Sequence, residues 1–159
     1  MTAPTTPYTK YLGDRDPLAV IADNIERVGT LARGWTADRF ERSYAPGKWS
    51  ARQILTHLAQ TEFALGTRAR MAVATPGYVA QAWDQDSWIG LDARLDGPAA
   101  LAAFLAAARM NLVCFEGLSA AQRAIGFEHP EYGTISVDWI IHQMAGHHIN
   151  HLRQLEQVT

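Results

Sequence analysis

The histidines of this chain are spaced in a way that could bind a metal ion. His147 and His151 lie four residues apart, and on a helix this spacing places both imidazoles on one face. Two ring nitrogens so placed can reach one ion at about 2.0–2.1 Å. His57 lies at the inner edge of a separate helical segment. Three histidine ligands would leave a fourth coordination position open, which is typical of catalytic metal sites.

The same residues also have a simpler interpretation. A helical HxxxH pair is frequently two packing or surface histidines, and a lone histidine beside an apolar stripe usually belongs to the core. His148 could instead pair with His151, three residues further on. Glu62 falls inside an apolar stripe. Since a buried carboxylate without a partner is costly, we expect it to pair with Arg109, His148 or a tryptophan N–H.

Further polar residues could support such a site. Asp84 and Asp86 follow the second helical segment in a long connection, and either carboxylate could accept a hydrogen bond from a ligand histidine. Beside the HxxxH pair, the helical wheel carries three amides that could orient a substrate. These amides are Gln143, Asn150 and Gln154.

Other kinds of site find no support in the sequence. No glutamate precedes a histidine by three positions, as a di-iron bundle would require. HExxH, CxxC, phosphate-binding glycine loops and Gly-x-Ser-x-Gly are all missing from the sequence. Cys114 is interpreted as structural because no activating base lies near it in sequence. His129, in a predicted turn, and His142, on the far side of its helix, are expected at the surface.

Four segments with apolar residues at helical spacing would position the histidines, and each follows a helix start signal. No segment shows sustained period-2 alternation, so no sheet is expected. Four amphipathic helices can bury their apolar stripes by packing together. We therefore predict an all-α four-helix bundle over residues 15–159, after an N-terminal extension of residues 1–14. The segments run from Asp16 to Gly34, from Ser50 to about Thr75, from Gly97 to Gly117, and from between Thr134 and Ser136 almost to the C-terminus.

Composition and charge restrict the class of protein. The 159 residues are 48% hydrophobic and 19% charged, as expected of one globular domain. With a net charge of −2 and no basic run, no nucleic-acid partner is expected. No segment approaches the roughly 20 apolar residues that cross a bilayer, and no signal-peptide pattern is present. The single cysteine fits a reducing compartment, so we expect a cytoplasmic protein.

The motifs together resemble the DinB-like (DinB/YfiT) superfamily of metal-dependent four-helix bundles, over residues 15–157. That resemblance implies a bundle of the family's own topology with a long connection between its second and third helices, commonly as a homodimer. It also implies a metal triad of His57, His147 and His151, with nickel or zinc as the usual ion and manganese or iron as alternatives. The motifs are Gly47 to Ser50, Ile54 to Leu58 with Glu62, Trp83 to Trp88, and Ala145 to Gln154.

Three functions remain open at this stage. Family members include mycothiol- and bacillithiol-dependent enzymes, so the resemblance implies transfer of a low-molecular-weight thiol to a small electrophilic substrate. Alternatively, a metal-bound water could hydrolyse a substrate, with Asp84, Asp86 or Glu62 as the base. A non-catalytic metal-binding stress protein would need a fourth protein ligand, such as His148 or Asp86.

Overall fold

Four long helices form the body of the protein in a computed structural model that describes residues 3–159. The long helices are α2 (Pro17–Ala32), α4 (Ala51–Ala74), α6 (Gly97–Glu116) and α8 (Val137–Leu155). Short elements fill the connections between them. These are α1 (Thr9–Leu12), α3 (Ala37–Phe40), α5 (Gln85–Leu91), α7 (Ala120–Arg123), β1 (Gly126–His129) and β2 (Gly133–Ser136).

The long helices begin where the sequence predicted. Asp16 caps α2, and Ser50 caps α4 in a reciprocal capping box with Gln53. Asp96 caps α6 and Ser136 caps α8. Each cap side chain accepts a hydrogen bond from a backbone N–H that has no partner within the helix. Because these contacts are local in sequence, helix starts were easier to predict than tertiary packing.

The order of the helices around the bundle differs from a simple up-down-up-down arrangement. Helix α2 packs against α6 and α8, and α4 packs against the same two helices. Consequently α2 and α4 lie across the bundle from each other, and the chain crosses it diagonally from α2 to α4 and again from α6 to α8. The all-α four-helix bundle is confirmed, and its topology places α4 directly beside α8.

The prediction that the chain contains no sheet was wrong in one place. Strands β1 and β2 form an antiparallel hairpin in which Phe127 faces Ile135, and both side chains are buried. Gly133, with φ of 66°, adopts the left-handed conformation that the turn requires. Four-residue strands are too short to show sustained alternation in a sequence. The hairpin also holds the connection after α4, because Ala80 donates a backbone hydrogen bond to Glu128.

Helix α6 is apolar enough along its length to cross a membrane by length and composition alone, which the sequence analysis did not expect. In the structure this helix packs within the bundle against α2 and α4. Phe104, Ala108 and Phe115 are buried in the core, whereas Met110 and Val113 are exposed on the outer face.

The N-terminal residues 3–14, predicted as an extension, pack against the last helix of the bundle. Helix α1 contacts α8, and Trp139 donates an indole hydrogen bond of 2.9 Å to the carbonyl of Thr5. Gly146 permits this approach, because a Cβ atom at that position would lie 2.6 Å from Tyr8 Cβ and 2.7 Å from its carbonyl oxygen. Tyr8 is thereby brought to the part of α8 that carries the histidines.

A buried polar network joins three of the long helices. Glu62 on α4 lies 2.5 Å from His148 Nε2 on α8 and accepts a hydrogen bond of 2.8 Å from Asn111 on α6. Asn111 in turn accepts a hydrogen bond from Arg70. Gly66 makes room for this amide, since a Cβ there would lie 2.3 Å from Asn111 Oδ1. Of the three partners suggested for Glu62, the structure selects His148, and this contact fixes α4 and α8 in register.

Candidate metal centre

Three buried histidines meet where α4 packs against α8. His57 Nε2 lies 2.9 Å from His147 Nε2, which in turn lies 3.0 Å from His151 Nε2. His57, His147 and His151 are only 3%, 4% and 6% exposed to solvent, respectively. Among the described residues, this is the one group of potential protein ligands that could hold a metal ion.

The arrangement fits a three-histidine metal site. Ligand nitrogens around a tetrahedral zinc ion, at about 2.0–2.1 Å from it, would lie about 3.3–3.4 Å apart. The Nε2 atom of His147 lies slightly closer than this to those of His57 and His151, at 2.9 and 3.0 Å, so small outward shifts of the rings would accommodate the ion. The set consists of imidazole nitrogens alone, a donor type that suits zinc, nickel, copper and iron.

Burial keeps these imidazoles neutral, as metal ligation requires. Burial, assisted by the neighbouring His151, lowers the pKa of His57 to about 3. Burial likewise lowers the pKa of His151 to about 4. The pKa of His147 lies well below its ordinary value, because of burial first and then the surrounding histidines. At neutral pH each ring therefore has one nitrogen lone pair available to an ion.

A glutamine orients one of the three rings. His151 Nδ1 lies 2.7 Å from Gln154 Oε1, while the amide nitrogen of Gln154 donates to Tyr44 Oη at 3.4 Å. With the proton of His151 on Nδ1, its lone pair is on Nε2 and faces the other two histidines. Such a contact to the far side of a ligand ring typically fixes its tautomer and strengthens metal binding.

Aromatic side chains enclose the other two rings. Trp49 lies 4.9 Å from the His57 ring centroid, and Trp83 stacks on the same ring at 6.0 Å with an interplanar angle of 10°. Tyr8 meets the ring of His147 edge-on at 5.2 Å. The role of Tyr8 was missed in the sequence, where the only related signal is the small residue Gly146 inside a helix.

The histidine cluster opens on one side into a cleft of about 400 Å³. One face of α4 forms the floor of this cleft. The four α4 residues that line it are spaced at i, i+4, i+8 and i+11, and residues with this spacing share one face of a helix. The polar atoms Thr61 Oγ1, Trp83 Nε1 and Gln143 Oε1 belong to residues lining this cleft and have no hydrogen-bond partner in the described chain. The floor consists of His57, Thr61, Leu65 and Arg68.

The structure places the two predicted aspartates at the cleft, away from direct contact with the histidine rings. Asp84 and Asp86 are exposed and line the cleft. Asp84 caps α5 by accepting a hydrogen bond of 2.6 Å from the Ser87 backbone, and hydrogen bonding to Ser87 lowers the pKa of this carboxyl. Within the described chain, the Nδ1 atoms of His57 and His147 have no hydrogen-bond partner.

The three predicted amides lie in different surroundings. Gln143 lines the cleft, as expected of a residue that contacts a ligand there. Gln154 instead contacts His151, a position that suits support of the metal ligand. Asn150 is half-buried and is not among the residues that line the cleft.

Two other histidines were expected at the surface, and that prediction was wrong. His129 is 8% exposed and His142 is 9% exposed. The hairpin buries His129 at the cleft, where its Nε2 lies 3.1 Å from Arg68 Nη1. His142 stays near its own helical turn, with Nδ1 at 2.9 Å from the carbonyl of Asp138. Arg109, one of the suggested partners of Glu62, instead pairs with exposed Glu26.

The lowered histidine pKa values predict how acid affects the metal-free protein. Unfolded histidine binds a proton below a pKa of about 6.5, whereas folded His57 remains neutral at pH 5. The unfolded state therefore binds more protons, and the free energy of unfolding should fall by about 2 kcal/mol per such histidine from pH 7 to pH 5. Urea unfolding of chelated protein should show a smaller fall in His57→Leu and an unchanged one in Thr61→Val. An equal fall in wild type and His57→Leu would contradict the assignment.

The contact between Gln154 and His151 predicts an effect on metal affinity. Gln154→Leu should weaken zinc binding by about 10- to 100-fold, the usual effect of losing an outer partner of a ligand histidine. Competition with a chelating dye would measure it. Gln157→Leu is the matched control, because the side chain of Gln157 donates its hydrogen bond to the carbonyl of Arg153 at the exposed end of the helix. Equal affinities of the two variants would show that Gln154 does not support the site.

Comparison with known proteins agrees with this geometry. Two proteins of Oceanobacillus iheyensis, whose names propose metal-dependent hydrolysis, are similar in sequence. One is 28% identical over 119 residues, which are 74% of this chain and 69% of the relative. The other is 23% identical over 131 residues, 82% of this chain and 76% of the relative.

A solved structure shares the fold. YfiT from Bacillus subtilis, described as a probable metal-dependent hydrolase with an unusual four-helix bundle topology, matches with a TM-score of 0.77 at 19% identity. The match covers 98% of this chain and 90% of the other. The sequence model of the DinB superfamily matches residues 21–155, which include all three clustered histidines. This chain therefore belongs to the DinB superfamily.

Proposed function

We propose that this protein is a metal-dependent enzyme that transfers a low-molecular-weight thiol, of the bacillithiol or mycothiol type, to a small electrophile. The observation that carries the proposal is the open side of the histidine cluster. His57 and His147 line a cleft of about 400 Å³, a size typical of small-molecule sites. A structural ion would require a fourth ligand, and one candidate for it, His148, is occupied by Glu62.

Each part of the site has a distinct role in this proposal. His57, His147 and His151 would hold one divalent ion, nickel or zinc in preference to manganese or iron. The ion would supply Lewis acidity, which lowers the pKa of a thiol or a water molecule that enters the open position. Trp83 and Tyr8 shield the histidine rings from solvent, and Gln143 offers a hydrogen bond to a ligand in the cleft.

Thiol transfer is favoured because the site has few groups placed to act as a base. Hydrolysis generally needs one to accept a proton from the attacking water. Glu62 is buried in its network with His148 and Asn111, and Asp84 is engaged as the cap of α5. A free thiol has a pKa of about 8.5, far below the value of about 15.7 for water, so the same ion deprotonates a thiol more readily and with less need of a base.

Hydrolysis is the second candidate, and a specific observation favours it. Asp86 lines the same cleft as the histidines, from which its carboxylate could accept a proton. The names given to the similar proteins from Oceanobacillus iheyensis also point to hydrolysis.

An activity assay separates the two candidates. Zinc- or nickel-loaded protein is incubated with bacillithiol, mycothiol or cysteine and monochlorobimane, and formation of the fluorescent conjugate is followed. We expect catalysed conjugation that His151→Ala reduces by about 100-fold or more, because the thiol loses its metal activation. His142→Ala, a buried histidine away from the cleft, should retain the wild-type rate.

Full conjugation activity in His151→Ala would contradict the thiol-transfer proposal. The hydrolytic alternative would be supported if the loaded protein instead cleaved 4-nitrophenyl acetate without any thiol, and if both His151→Ala and Asp86→Asn abolished that cleavage.

A further inference from the structure

A buried arginine lies at the opposite end of the cleft floor from the metal ligands. Arg68 follows His57 by 11 residues on α4, so the two side chains are only about 20° apart around the helix and their Cα atoms about 16 Å apart along it. Both side chains line the same cleft. A ligand lying along the floor would have one end at each residue.

The guanidinium of Arg68 makes no salt bridge in the described part of the chain. Arg68 is 8% exposed, and no ion pair to a carboxylate involves it among the described residues, unlike the paired Arg27, Arg52, Arg109 and Arg123. Burial lowers the pKa of its guanidinium, and the nearby exposed carboxylate of Glu131 offsets that effect only in part. A buried cation that lacks a directly paired carboxylate is costly, so a negative group bound here would be stabilised.

The hydrogen bonds of Arg68 leave part of its donor capacity unused. Its Nη2 donates to the carbonyl of Gln81, and Nη1 lies 3.1 Å from His129 Nε2. The other ring nitrogen of His129 already faces the backbone N–H of Glu131 at 3.2 Å. Because a neutral imidazole accepts at only one nitrogen, His129 cannot satisfy both donors. The five N–H groups of a guanidinium suit a carboxylate, which can accept two of them at once.

The remaining walls define the rest of the ligand. The aromatic side chains of Tyr132 and Trp139 lie 5.0 Å apart beside Arg68's partner His129, and they suit a flat or apolar body. The acidic residues of the cleft, Asp84, Asp86 and Glu131, are exposed. Water and salt screen exposed charges, so they oppose an anion at the buried guanidinium only weakly.

We propose that Arg68 binds the carboxylate of a small, largely apolar substrate whose reactive end faces the histidine cluster. That the bound carboxylate belongs to the substrate rests on the proposed enzymatic function. The carboxylate-binding subsite itself does not, because it can be tested by binding alone.

Benzoate and benzamide provide matched probes, because they have nearly the same shape and differ in charge. Their binding is followed by quenching of tryptophan fluorescence, in both the metal-loaded and the chelated protein, so that binding to the ion itself is recognised. Wild type should bind benzoate more tightly than benzamide in both forms. Arg68→Met should weaken benzoate binding about tenfold or more and leave benzamide binding unchanged.

Two further variants complete the test. Arg94→Met removes an exposed arginine outside the cleft and should leave both affinities unchanged, which controls for net charge. Arg68→Lys keeps the charge without the two-pronged geometry and should lose part of the preference for benzoate, even if Arg68→Met does not fold. Equal binding of the two probes by wild type, or an unchanged preference in the Arg68 variants, would overturn the proposal. If the protein preferred benzoate in this way but transferred no thiol, only the proposed reaction would be overturned.

Discussion

The contact between Glu62 and His148 is the constraint on which the rest of the site depends. It joins α4 to α8 at a buried point, and Asn111 extends it to α6. Leaving a buried hydrogen-bonding group without its partner typically costs about 1–3 kcal/mol, so a bundle in which these two helices slide past each other is disfavoured. Because His147 adjoins His148 in sequence, and Glu62 lies little more than one turn beyond His57, the register that satisfies the carboxylate also brings the metal-ligand candidates together.

The same burial links packing to chemistry. Helix α8 lies beside α4 because the chain crosses the bundle diagonally, and this packing removes His57, His147 and His151 from water. Loss of hydration keeps the imidazoles neutral, which is the state that binds a metal ion. The N-terminal segment and the connection after α4 close over the cluster with Tyr8 and Trp83, leaving the cleft as the open side. Arg68 lies on this cleft, so a single face of α4 carries both a ligand histidine and a buried positive charge.

Local sequence signals predicted part of this architecture. Asp16 and Ser50 act within one helical turn, so the starts of α2 and α4 followed from sequence alone, and the HxxxH spacing placed two histidines on one face. The requirement that buried Glu62 have a partner suggested three candidates, and the structure selects one of them, His148. The contacts of Tyr8 and the burial of His129 and Arg68 depend on segments far apart in sequence, for which no local pattern exists. The hairpin escaped prediction because its strands are only four residues long.

The central claim is that the three clustered histidines bind one metal ion, and elemental analysis of untagged protein tests it most directly. Wild type should contain, or take up from added nickel or zinc, about one ion per chain, as expected for one set of three ligands. Each of His57→Ala, His147→Ala and His151→Ala should lose that ion while His142→Ala retains it. A wild-type protein that contains no metal and binds neither nickel nor zinc would contradict the account and leave the cluster as a packing feature of the bundle.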